Sequence, residues 1–130
     1  MKHTSHQAST ESIEAARIAA SAIAAKNGED IVLLDLSNLL VVTDVFLVAS
    51  GTSTRHVKTL VDDAAVALRD AGRKPIRREG VDHGEWVLLD YGDVVIHVFD
   101  RETRSYYELE RLWADAPAIE FEPSSSYADS

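Results

Sequence analysis

The sequence predicts an α/β domain: a single mixed β-sheet of about five strands with helices packed on it. Three observations carry this. From Arg55 to Ala71, residues Val57, Leu60, Val61, Ala64, Ala65 and Leu68 trace one helical face at three- and four-residue steps. Two short β-branched and leucine runs, Ile31 to Leu36 and Val45 to Ala49, precede that helix. After it, Gly84 to Trp113 reads as two strands, a tight turn and a short helix.

In chain order, Met1 to Thr10 is polar and is expected to be a disordered tail. Ser12 to Lys26 is an alanine-rich helix with Ile13, Ala16, Ala20, Ile23 and Ala24 at helical spacing. Asn27-Gly28 ends it, since glycine tolerates the left-handed conformation after a last turn. Ile31 to Leu36, bounded by Asp30 and Ser37, is short and nearly continuous, as a buried strand is, and Val45 to Ala49 is another, ended by Ser50-Gly51. Thr52, Ser53 or Thr54 caps the second helix and Gly72 closes it. Pro75 opens an edge strand, Ile76 to Glu79, because proline cannot donate to a central ladder. The strand Val45–Ala49, the helix and this strand can form a βαβ unit. Asp100 caps a last helix in which Tyr106, Leu109 and Trp113 share a face. Beyond Ala116 come Pro117, Pro123 and a serine-rich, acidic end, read as a tail rather than a fold element. The domain is therefore placed at 11–116, with tails at 1–10 and 117–130.

The hairpin is the most informative part. With Tyr91-Gly92 as a two-residue loop, Asp90 stands opposite Asp93, and pairing runs outward through Leu89–Val94, Leu88–Val95 and Val87–Ile96 to Trp86–His97. Alternation puts Val87, Leu89, Val94, Ile96 and Val98 on one face. The other carries Trp86, Leu88, Asp90, Asp93, Val95 and His97, too polar for a core and too aromatic for idle solvent. Such a face suits a protein partner, because Trp and Tyr bury much area with few rotors. Burial of this face under the last helix is the competing explanation.

Composition narrows the function further. There are 22 acidic residues against 13 Lys and Arg, a formal net charge of −9. That balance is poor for binding phosphate backbones and suits a basic protein partner. The absence of cysteine excludes disulfides, thiolate zinc sites and a cysteine nucleophile. The N-terminus has no apolar leader segment, and no window approaches the ~20 apolar residues of a membrane span; a cytoplasmic protein is expected.

Other constellations are weaker. Ser50 to Arg55 lies between strand and helix and could hold an anion, but it lacks a phosphate-loop fingerprint, and capping accounts for its hydroxyls. Asp90 and Asp93 could share a metal, yet Asp beside a glycine turn is ordinary turn chemistry. His56, His83 and His97 stand at no ligand spacing. Arg77-Arg78, near Arg73 and Lys74, is the densest basic patch; on an edge strand such charges block edge-to-edge pairing.

Thr43-Asp44, ASGTSTRHV at Ala49 to Val57, Glu79-Gly80, GEWVLLDYGDVVIHVF at Gly84 to Phe99, Arg104, Tyr107-Glu108-Leu109-Glu110 and Leu112-Trp113 occur in an order that resembles the ribosomal silencing factor (RsfS, Iojap) family. The match covers roughly Ser12 to Ala116; at position 45 the family usually has an aromatic or cysteine, and this chain has Val. The resemblance implies a nucleotidyltransferase-like topology without catalysis. It implies binding to the large ribosomal subunit at the ribosomal protein universally numbered fourteen, which blocks joining with the small subunit and represses translation under nutrient limitation. It also implies a possible homodimer when free. The face and the matched motifs together nominate Trp86, Leu88, Asp90, Tyr91, Asp93, His97, Arg104 and Tyr107 as partner-binding residues, with no catalytic, metal or cofactor site expected. The rival is a nucleotidyltransferase-like, nucleotide-binding enzyme. Such enzymes use Gly-Ser at a helix start and a strand-borne Asp-x-Asp, whereas here Thr52 follows Gly51. The acids at the corresponding distance, Asp62 and Asp63, are adjacent on a helix, where side chains diverge by about 100° per residue.

Overall fold

The computed structural model describes residues 8–40, 42–107 and 116–121, excluding the side chains of 105–107. The elements are α1 (Thr10–Ala25), β1 (Glu29–Asp35), β2 (Val45–Gly51), α2 (Thr54–Asp70), β3 (Arg77–Glu79), β4 (Trp86–Asp90), β5 (Val94–Asp100), α3 (Arg101–Tyr107) and β6 (Ala118–Ile119). All six strands join one sheet in the order β3-β4-β5-β2-β1-β6. β2 and β5 are parallel and the other neighbours antiparallel, so the sheet is mixed as expected, with one strand more.

Two connections differ from expectation. β2 and β3 run in the same direction across α2, but β5 and β4 lie between them, so the crossover skips two strands. The stretch from Pro117, expected as tail, supplies β6: Ile119 pairs with Leu33, Ala118 with Leu34, and Asp35 N–H donates to Pro117 O at 2.8 Å. Ile119 and Phe121 then pack against the core. A two-residue strand is too short to show an alternating pattern, which is why the sequence reads as tail there.

α1 starts at Thr10 because Ser9 caps it; Ser9 Oγ accepts the Ser12 N–H at 3.0 Å. Ala8, at the edge of the expected tail, is buried; residues 1–7 lie outside the described set. At the other end, Asn27 rather than Gly28 takes the left-handed conformation, with φ 67°. Gly28 instead allows close approach: its N–H reaches Ile23 O at 2.9 Å, and an added Cβ would lie 2.2 Å from Ile23 Cγ2.

α1 buries Ala15, Ala16, Ala19, Ala20 and Ile23; α2 buries Val57, Leu60, Val61, Ala64 and Leu68. Both helices lie on the sheet face bearing Val87, Leu89, Val94, Ile96 and Val98, and together these residues form the main core. Each fully buried Val, Leu or Ile there contributes about 1.5–3 kcal/mol. Among the described residues no helix is long and apolar enough to cross a membrane.

Candidate functional site

The second face of the sheet looks away from α1 and α2, and the β4–β5 hairpin sets what it displays. The hairpin turns at Gly92-Asp93, not Tyr91-Gly92: Tyr91 N–H donates to Val94 O at 2.9 Å. Pairing therefore joins Trp86 to Phe99, Val87 to Val98, Leu88 to His97, Leu89 to Ile96 and Asp90 to Val95. The reason is backbone conformation. Gly92 has φ 87°, a value tyrosine adopts only with strain, so glycine takes the first loop position. Asp90 fixes the turn by accepting the Gly92 N–H at 2.7 Å through Oδ1. Moving the loop by one residue changes every cross-strand partner yet leaves each strand residue on its expected face.

Trp86 no longer faces His97 directly, but the two still meet on the diagonal. Trp86 Nε1–H donates to His97 Nδ1 at 3.1 Å. The indole stacks on its cross-strand partner Phe99, with ring centroids 4.9 Å apart and planes inclined by 23°. Phe46, from β2, packs on His97 at 4.6 Å. Val48 and Phe99 form the buried floor of this cluster, with Phe46 and the half-buried Trp86 packed against it.

His97 is 5% exposed. Burial pushes its pKa down to about 4 from 6.5, with the Asp90 charge opposing, so the ring is neutral at pH 7. Indole N–H can only donate, so Nδ1 must accept, and the ring proton sits on Nε2. Among the described residues, that buried Nε2–H has no partner. An unsatisfied buried donor costs about 1–3 kcal/mol.

The other nominated residues divide. Leu88 lies half-buried on this face, and so does Asp90, whose Oδ2 accepts from Arg77 Nε at 3.1 Å. Arg77 is also 3.3 Å from Glu79, so a short charged row borders the aromatic cluster. Asp93 does not share this side with Asp90, as the expected register required. It points to the helix layer, where Oδ1 accepts from Arg73 Nη2 at 2.5 Å and Oδ2 from Ser12 Oγ at 2.7 Å. Burial would raise its pKa, but the Arg73 and Ser12 hydrogen bonds and the Arg73 charge together hold it below the usual carboxylate range. Tyr91 likewise turns inward and joins the main core. Its buried hydroxyl has no partner among the described residues, and burial raises its pKa against the opposing charges of Arg78 and Arg73. Arg104, in α3, is buried, and its Nη1 donates to Asp30 O at 2.5 Å and Ser50 Oγ at 2.9 Å. Tyr107 belongs to α3, but its side chain lies outside the described residues.

Sequence reasoning missed Phe46 and Phe99. Phe99 was within reach, since it follows His97 by two residues and so shares its face. Phe46 becomes visible only once β2 is known to lie beside β5, with Phe46 opposite Val95 and Val48 opposite His97.

The alternative constellations are occupied by the chain itself. In the loop before α2, Thr52 N–H donates to His56 Nδ1 at 2.9 Å, and His56 N–H to Ser53 Oγ at 3.1 Å. His56 Nε2 then bonds Lys26 O at 2.8 Å. These groups serve capping, not an anion. In the basic patch, Arg78 pairs with Asp62 at 3.0 Å and Arg73 with Asp93. Asp63 faces Lys26 instead, at 3.6 Å, so the two adjacent acids diverge.

The family model described as ribosomal silencing factor during starvation (RsfS) matches residues 9–130. A ribosomal silencing factor RsfS of Bacillus subtilis is 41% identical over 106 residues, covering 82% of this chain and 90% of its own length. The mouse protein named mitochondrial assembly of ribosomal large subunit protein 1 is 36% identical over 91 residues, covering 68% of this chain and 40% of its own. A crystal structure from Chromobacterium violaceum superposes with a TM-score of 0.78 at 37% identity, covering 93% of this chain and 100% of that one.

Proposed function

The chain belongs to the ribosomal silencing factor (RsfS) family, and we propose that it binds the large ribosomal subunit, at the ribosomal protein universally numbered fourteen, through the Trp86 face. Occupying that site keeps the small subunit from joining and lowers translation when nutrients run short. The mention of starvation in the family description and the large-subunit name of the mouse relative support this reading.

The observation that carries it is Trp86 itself. The indole stands half-buried on an aromatic floor, on the sheet face that α1 and α2 leave uncovered. A rigid aromatic ring held this way is a good anchor for a protein interface. Leu88 extends the apolar surface, while Asp90 and Glu79 with Arg77 supply a charged border. Net acidity favours a basic partner. We read the protein as a cytoplasmic binding module, not an enzyme: the cradle before α2 spends its donors on His56 and Ser53, and Asp62 and Asp63 turn to different cations. The family resemblance implies a possible homodimer when free.

The test is sedimentation with purified large and small subunits separately. Co-sedimentation with the large subunit alone, together with inhibited joining, is the expected result. Equal binding to naked ribosomal RNA and to whole subunits overturns the reading.

A further inference from the structure

We infer that His97 is a positioning residue: by accepting the Trp86 Nε1–H through Nδ1, it fixes the rotation of the indole that meets the ribosomal partner. The inference rests on the reading that Trp86 is the anchor of that interface.

The argument begins with what stacking cannot do. Trp86 lies nearly flat on Phe99, with the planes inclined by 23°. Face-to-face contact of this kind tolerates rotation of one ring in its own plane and is nearly indifferent to a ring flip, because both faces of an indole are apolar. A hydrogen bond from Nε1 is directional and distinguishes those states. At 3.1 Å, His97 Nδ1 supplies the acceptor.

The second step is that His97 poorly suits its site on any other account. It is buried among Phe46, Phe99 and Trp86, where a phenyl ring would fill similar space. Imidazole instead brings an Nε2–H that has no partner among the described residues. None of the described residues packed around it uses that proton. The nitrogen that is used is Nδ1, and its use is to hold Trp86. The two observations are linked: since Nδ1 accepts, Nε2 must carry the proton, so the orphaned donor is the necessary counterpart of the bond to the indole.

A structural filler and a positioning residue predict opposite outcomes for His97→Phe. That variant keeps a ring and removes both the acceptor and the orphaned donor. It should melt at least as high as the parent at pH 7, while exchange of the Trp86 indole proton speeds up in NMR spectra of 15N-labelled protein. Binding to purified large subunits should weaken about 3- to 10-fold, the weight of one ordinary hydrogen bond. In a Trp86→Phe background, which has no indole donor, the same His97→Phe change should alter the dissociation constant less than about twofold. His97→Asn, whose side-chain carbonyl can stand near the Nδ1 position, should recover part of the lost affinity.

Three results overturn the inference: unchanged binding by His97→Phe despite faster indole exchange, an equal loss of affinity in both backgrounds, or no recovery with Asn in folded protein. If His97→Phe does not fold, the ring is a filler with a required polar group, and the comparison passes to His97→Asn and His97→Leu. Normal indole exchange in His97→Leu then sinks the proposal. Failure of the underlying reading looks different: Trp86→Phe and Trp86→Ala would themselves bind like the parent.

Discussion

Val87, Leu89, Val94, Ile96 and Val98 alternate along the same two strands with Trp86, Leu88, Val95, His97 and Phe99, yet the two sets are held by different physics. On the helix side these five strand residues are all aliphatic, and Leu89, Val94, Ile96 and Val98 are fully shut off from water by α1 and α2. The strand residues on this face carry no polar side chain; the polar groups of the helix side, Asp93 and the Tyr91 hydroxyl, sit at the turn. On the other side, the rings of Trp86, His97 and Phe99 join Leu88 and Val95, and the histidine is kept neutral by burial with one N–H unpaired among the described residues. The first face is built for stability. The second accepts a local penalty, and natural sequences retain such penalties at working surfaces.

The contrast can be broken from either side, and the largest effect is expected in the core. Ile96→Ala should lose about 2–5 kcal/mol of folding stability, read by urea unfolding, with no change in affinity for the subunit once folded. A loss below 1 kcal/mol would mean that the helix side is not the structural face.

Acid should act through the other side. The unfolded imidazole binds a proton near pH 6.5, whereas the buried His97 resists until about 4. Between these values the unfolded chain holds more protons. The full stability is present above pH 6.5 and falls as pH drops toward 4, by about 3 kcal/mol in total from this group. His97→Phe should remove that part of the slope, which unfolding curves at pH 7 and pH 4.5 would measure.

Asp93→Ala tests where the turn's acids belong. Losing the Arg73 and Ser12 bonds should cost about 1–2 kcal/mol, with subunit binding intact, because Asp93 serves the helix layer. Weakened binding with unchanged stability would return Asp93 to the partner face. Arg77→Ala should matter least for folding, about 0–1 kcal/mol, since its ion-paired side chain is 60% exposed.

The division into two faces was legible in the sequence because alternation survives a register error. With the loop at Tyr91-Gly92 or at Gly92-Asp93, Val87 and Trp86 lie on opposite sides. Register was not legible from the pattern alone; the preference of glycine for the first loop position was the available signal. The expected register puts Asp93 on the partner face opposite Asp90, but a turn redirects side chains, and the Arg73 that draws Asp93 inward lies 20 residues away. The matched motif nominates Arg104 for a partner, whereas the bulged start of β1 offers it the Asp30 carbonyl. The motif before α2 was legible as a cap because its chemistry is local, with Ser53 serving His56 three residues on. β6 was not, because its pairing with β1 spans the whole domain.

The central claim is that Trp86 anchors the partner rather than the fold, and one variant measured twice tests it. Trp86→Ala should lose about 2–4 kcal/mol of binding to purified large subunits, roughly 30- to 1,000-fold in affinity, while its melting temperature stays within a few degrees of the parent. A melting temperature that falls far, with normal binding by the protein that remains folded, would show that the indole belongs to the core and that the outer face is not the ribosomal surface.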